Sequence, residues 1–222
     1  MNIDKKEVLR YLGHKNQIVE KSINLLIDEC IDEIKKYVSL NFNFKVFDIV
    51  KNIKGVEVLN SNLVFEGRDI EEHLKYSEQC AVMAITLGSL VDEKIRYYEK
   101  FNLTKALILD ACATTLIESA CDEVQEEIRK QALKTNLGIT YRYSPGYGDF
   151  PIDIQKNILD ILEAQKKIGL SVTEDSILIP RKSVTAVIGF QDRNIISEHP
   201  GCKSCSRNKN CEYKKGGNYC GD

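Results

Sequence analysis

Residues 105–135 read KALILDACATTLIESACDEVQEEIRKQALKT, and the reading of this stretch decides the fold. Its apolar residues recur at helical spacing, and at 1.5 Å per residue a single helix over it spans about 45 Å. Just upstream, residues 80–88 read CAVMAITLG, a continuous apolar run suited to a central buried strand that ends at Gly88. Between them, residues 89–100 have the pattern of a connecting helix. Residues 4–12 and about 15–37 carry helical periodicity too, with Ile18, Ile23, Leu25, Leu26, Cys30, Ile31, Ile34 and Val38 in phase. Three β-prone runs follow, FKVFDIV, VEVLN and NLVFEG, punctuated by Asn and Gly, and they predict a hairpin or meander before a helix near 68–76.

Downstream of the long helix come GITYRYSPGYGDFP, a helix over about 152–168 stopped by Gly169, and two strands, SILIP and SVTAVIGF. Helices thus surround a modest, mainly antiparallel sheet without regular βαβ alternation, and the fold class expected is α+β. Composition changes after about residue 196. Two domains are expected: residues 1–195, and a small cysteine-rich appendage over 196–222.

With 222 residues the chain is long enough for a proper core, and 31 Lys and Arg nearly balance 33 Asp and Glu. No global field argues for nucleic acid or a membrane surface as the partner. No run of apolar residues is long enough to span a bilayer and the N-terminus has no signal-like apolar region, so the expected location is cytoplasmic. In that compartment the eight cysteines are thiols or metal ligands rather than disulfides. Cys30, Cys80, Cys112 and Cys121 lie within apolar-periodic segments and read as core. Cys202, Cys205, Cys211 and Cys220 are spaced C-x2-C-x5-C-x8-C, four soft ligands suited to an iron–sulfur cluster or to tetrahedral zinc. A redox pair or a disordered tail is the plainer reading of these four.

Residues 142–151 read RYSPGYGDFP and hold two of the chain's four prolines. Pro145-Gly146 is a turn dipeptide, in which proline presets φ and glycine supplies a positive one. With Arg142 and Tyr147 beside it, such a loop can present backbone N–H groups, a guanidinium and an aromatic ring to a small ligand bearing a carboxylate and a flat heterocycle. The plain alternative is a strand-to-helix connection in which Pro151 opens the next helix.

RYSPGYGDFP and a following helix, then GLSVTEDSILIPRKSVTAVIGF, together with DACATTLIESACDEVQEEIRK upstream, resemble the S-adenosylmethionine-binding activation domain of cobalamin-dependent methionine synthase. The resemblance is specific from about 104 to 190; LRYLG and AVMAITLG are similar to short stand-alone members. It implies that Arg142, Ser144, Pro145, Gly146 and Tyr147 form the ligand loop, that a turn precedes a pair of strands, and that Glu118 is an acidic ligand contact. Glu118 is the only charged side chain between Ala111 and Cys121. Its alternative reading is a solvated member of the stripe Asp110, Thr114, Glu118, Asp122. The sequence departs from the family where GFQDRNIISEHP offers no tyrosine and where Asp153 stands in place of a histidine.

The family's homocysteine, folate and cobalamin modules have no room in this chain. The resemblance therefore implies a separate reactivation subunit acting on the cob(II)alamin of a corrinoid methyltransferase protein, with a low-potential electron donor of flavodoxin or ferredoxin type. An electron route is the reason to favour iron–sulfur over zinc in the tail. The remaining alternatives are an S-adenosylmethionine sensor without chemistry and a non-catalytic cap on a corrinoid domain.

Overall fold

The computed structural model of the chain describes residues 3–14 and 17–195. Among them seven helices accompany a six-stranded sheet and a two-stranded ribbon, which is the α+β class expected. The helices are α1 (Lys5–Tyr11), α2 (Lys21–Ile34), α3 (Arg68–His73), α4 (Ser89–Glu99), α5 (Leu103–Leu133), α6 (Gln155–Leu162) and α7 (Ala164–Ile168). The strands are β1 (Asn41–Asn52), β2 (Gly55–Val58), β3 (Val64–Phe65), β4 (Gln79–Thr86), β5 (Leu137–Ile139), β6 (Ser171–Val172), β7 (Leu178–Ile179) and β8 (Ser183–Asp192).

The sheet order is β3-β2-β1-β4-β8-β5. The meander is antiparallel, with Ile49 opposite Val58 and Val56 opposite Phe65. β5 joins β8 antiparallel, Ile139 opposite Phe190. As its unbroken apolar run requires, β4 is central, and its residues from Cys80 to Ile85 have no exposed area.

α5 explains why one carboxylate stands alone in its apolar half. From Leu109 to Cys121 only Asp110, Thr114, Glu118 and Ser119 escape full burial, so the helix is enclosed on most faces there. Beyond Asp122 burial narrows to the single stripe Val124, Ile128 and Ala132, at the four-residue spacing of one helix face. Cys30, Cys80, Cys112 and Cys121 are all fully buried free thiols, as expected of small core hydrophobes. Burial pushes the Cys80 and Cys112 thiols up to about 12.

Three expectations are corrected. The second helix begins at Lys21, because Glu20 is extended at φ −58, ψ 144; Ile18 lies outside the helix and is fully exposed. The helix expected over 152–168 is two helices, since Glu163 is left-handed at φ 55. There the last carbonyls of α6 accept from distant side chains: Ile161 from Lys45 Nζ at 2.7 Å and Leu162 from Asn43 Nδ2 at 2.8 Å. SILIP and SVTAVIGF are not partners of each other. β7 pairs with β6, while β8 sits in the main sheet between β4 and β5.

The chain divides into two compact units. Unit 1 comprises Met1–Lys45, Met83–Glu127 and Gln155–Thr185, and holds α1, α2, α4, most of α5, α6, α7 and the ribbon. Unit 2 comprises Val46–Val82, Ile128–Ile154 and the chain from Ala186, and holds the meander, α3, β5 and most of β8. No helix among the described residues is long and apolar enough to cross a membrane.

Candidate functional site

Residues 142–150 of unit 2 follow β5 as a double turn. Tyr147 N–H donates to the Ser144 carbonyl at 3.2 Å, and Gly146 has φ +91. With Pro145 at the second position and Gly146 at the third, this is the geometry of a type II turn, as the dipeptide predicts. A second turn follows, closed by Phe150 N–H on the Tyr147 carbonyl at 3.0 Å, and Gly146 N–H donates across the loop to the Phe150 carbonyl at 2.9 Å. Two consequences differ from expectation. The N–H groups of Gly146 and Tyr147 serve the loop itself, as does the Tyr147 carbonyl, so what these residues offer a ligand is the Gly146 carbonyl and the Tyr147 side chain. And the Phe150 carbonyl, which would accept the first bond of a helix opened by Pro151, is already engaged; α6 starts at Gln155 instead.

The loop rests on aromatic rings. Tyr143 stacks on His73 of α3 at 5.1 Å and on Phe150 at 6.0 Å, and Phe150 meets Phe65 edge-on at 5.7 Å. Tyr141 touches His73 edge-on at 4.5 Å. The His73 Nε2 lies 3.0 Å from the hydroxyl of Thr140, which accepts from the Gly189 N–H at 2.8 Å and so ties the ring to β8. Tyr143 N–H donates to the Val187 carbonyl at 3.0 Å and its own carbonyl accepts back, a one-residue bridge that fixes the start of the loop. Above this base Pro145 is buried, Arg142 and Ser144 are half-buried, and Tyr147 leaves 53% of its surface exposed.

The far end of the loop is anchored by Asp149. Its carboxylate accepts the Arg68 N–H at 2.8 Å and the Asp69 N–H at 3.0 Å, two donors that a helix start leaves unsatisfied. In return Asp149 N–H donates to Asp69 Oδ2 at 3.2 Å. Hydrogen bonds from the Asp69 and Arg68 amides hold the Asp149 carboxyl below its ordinary range. A Cβ on Gly67 would stand 2.8 Å from Asp149 Oδ1, and one on Gly148 would overlap the Asp69 carboxylate and come within 2.8 Å of the Tyr143 hydroxyl. Both glycines also have positive φ, +121 and +53. The Asp149 anchor and the His73 platform are absent from the sequence reading, because their partners are some 70 to 80 residues away.

Glu118, in unit 1, is half-buried on α5. Burial, and then the charge of Glu118, push the Tyr11 phenol above its ordinary value, so the Glu118 carboxylate lies within electrostatic reach of Tyr11 on α1. Unit 1 also has a recess of about 130 Å³ among α4, α5 and residues 179–182. Its carboxylates are engaged: Asp92 accepts the Arg181 N–H at 2.5 Å, and Asp110 pairs with Lys182 Nζ at 2.9 Å. Thr114, on the stripe with Glu118, also receives Lys182 at 2.8 Å. The sequence gives no sign of this recess, since three separate segments build it. Asp153 is exposed. The predicted metal ligands Cys202, Cys205, Cys211 and Cys220 lie outside the described residues, as does the boundary expected after residue 195. Among the described residues no cluster of three or more His, Cys, Asp or Glu can hold a metal ion.

Three comparisons with known proteins bear on the identity of this arrangement. No curated protein matches the chain. The fold is similar to a solved structure described as "Crystal Structure of the MetH Reactivation Domain bound to AdoHcy", with TM-score 0.62 and 15% identity over 84% of this chain and 70% of that one. At that identity the likeness speaks for the fold. A family profile described as "Vitamin B12 dependent methionine synthase, activation domain" matches residues 69–214, which takes in all but the first residue of α3, together with α5, the 142–150 loop and β8. With 146 of 222 residues matched, the chain belongs to the family of vitamin B12-dependent methionine synthase activation domains.

Proposed function

We propose that this chain binds S-adenosylmethionine through the loop at Arg142–Tyr147 and uses it, in the cytoplasm, to remethylate the oxidised cobalamin of a partner corrinoid protein. The observation that carries the reading is the preset shape of the loop within the family match: a type II turn at Ser144–Tyr147, packed on aromatic rings, with Arg142 at its base and Tyr147 half exposed beside Tyr143. One electron from a flavodoxin- or ferredoxin-type donor and one methyl group from the sulfonium pass to the partner's cobalt, and S-adenosylhomocysteine leaves.

The protein's part is positioning. Arg142 pairs its guanidinium with the methionyl carboxylate, a charge-assisted and directional contact. Ser144, Pro145 and Gly146 supply the shaped backbone, in which the Pro145 and Gly146 carbonyls accept from donor groups on the ligand, and Tyr147 gives a face for its flat ring. Glu118 is a separate proposal, an acceptor for an ammonium or ribose hydroxyls. Cys202, Cys205, Cys211 and Cys220 are proposed as ligands of an iron–sulfur cluster on the electron route, with zinc as the alternative. Anaerobic purification with elemental analysis decides between them: iron and sulfide support the route, and one equivalent of zinc without iron removes it.

The test of function is to mix the protein with a cob(II)alamin-loaded corrinoid partner, a reductant and S-adenosylmethionine. The expected result is the methylcobalamin spectrum, dependent on this chain. Ligand binding without that spectrum, across corrinoid partners from methionine synthase and other methyltransferases, overturns the reading in favour of a sensor.

A further inference from the structure

We propose that Asp149 is the positioning residue of the ligand loop, acting with Asp69 as a clasp that holds residues 142–150 in their binding shape. The inference rests on the functional reading above and assigns the loop a control point outside the residues that the resemblance gives to the ligand. Three observations support it. The Asp149 carboxylate bridges two successive backbone amides, Arg68 and Asp69, while its own N–H returns a bond to the Asp69 carboxylate, so loop and α3 are joined at three points. Gly67 and Gly148 bring the two segments so close that neither position has space for a Cβ. The Phe150 N–H, directly after Asp149, closes the second turn on the Tyr147 carbonyl, and the Phe150 carbonyl takes the Gly146 N–H from inside the first turn. Releasing Asp149 therefore frees the residue that closes the second turn and braces the first through Gly146.

A carboxylate suits this role because each of its oxygens accepts one amide. Asn keeps one acceptor oxygen and loses the second. Ala keeps neither and leaves the two amides of α3 to solvent. Asp69 contributes one bond through its side chain, so its removal opens the clasp less than removal of Asp149.

The experiment compares the full chain with Asp149→Ala, Asp149→Asn and Asp69→Ala, using amide hydrogen exchange without ligand and calorimetric titration with S-adenosylhomocysteine. In Asp149→Ala the Gly146, Tyr147 and Phe150 amides exchange at least about tenfold faster, and ligand affinity falls about tenfold or more, in keeping with loss of a charge-assisted pair of bonds. Asp149→Asn recovers most of both losses, and Asp69→Ala loses about threefold. A residue that merely caps α3 would speed exchange at Arg68 and Asp69 and leave the loop amides protected; that result overturns the proposal, as does wild-type affinity in Asp149→Ala. If the unaltered protein binds no S-adenosylhomocysteine, the functional reading fails, while the exchange data still decide whether Asp149 holds the loop.

Discussion

Glu33 in unit 1 and Asp149 in unit 2 are both carboxylates held below their ordinary range, and they are held by opposite means. Burial alone would push Glu33 up, but hydrogen bonds from Lys105, Tyr98 and Lys94 outweigh it. Lys105 Nζ stands at 2.7 Å, the Tyr98 hydroxyl at 2.9 Å and Lys94 Nζ at 3.1 Å, and both ammonium groups also lie over tyrosine rings. The Glu33 side chain is only 17% exposed. That cluster holds one carboxylate between two ammonium groups and ties α2 to α4 and α5, so its work is structural. Asp149 is exposed and is held chiefly by backbone N–H groups. Bonds to the main chain fix the course of a loop, whereas bonds to mobile ammonium groups compensate a charge; the first arrangement suits positioning and the second suits cohesion.

The largest effect expected from breaking this contrast is at Glu33. Glu33→Ala leaves two partly buried cations facing each other and should cost about 2–3 kcal/mol in urea unfolding, with ligand affinity within about twofold of wild type. Gly148→Ala tests the other side. Its positive φ and the overlap with Asp69 predict a loss of about 1–2 kcal/mol. In this case ligand affinity falls with stability, and a variant that binds normally would show that the close approach of the loop to α3 is not needed.

Acid titration sharpens the comparison further. Glu33 has a lowered folded-state value, so its contribution is full above the unfolded value of about 4.3 and is lost as pH falls through the folded one. Glu33→Gln should therefore flatten the fall in stability below about pH 5, measured by denaturant midpoints across pH. An unaltered slope would mean that other carboxylates drive the acid transition. The smallest effect expected is chemical: Cys80 and Cys112, with thiols pushed up to about 12, should resist alkylation at pH 8 until the chain unfolds.

What the sequence makes legible here is local. α5, β4 and the meander are each dictated by their own periodicity, and the Ser144–Tyr147 turn by two residues with restricted or permissive φ. What stays illegible is set by distant partners. α6 ends at Leu162 because Asn43 and Lys45 take its last carbonyls, more than a hundred residues away in the chain. β7 turns to β6 although β8 follows it directly. Asp149 reads as one more polar residue after a glycine until α3 is folded against it, and His73 as a helix residue until Thr140 and Tyr143 meet its ring. Of the candidate site, the turn and its family motif are thus visible in the sequence, and the supports beneath them are not.

The most direct test of the central claim is calorimetric titration of S-adenosylmethionine into the wild-type chain and into Arg142→Ala and Tyr147→Ala, each checked by thermal unfolding. The predicted result is binding that weakens by about tenfold or more in each variant, equivalent to at least one lost directed contact, with the unfolding midpoint unchanged. Equal affinity in all three proteins would contradict the assignment of this loop as the ligand site.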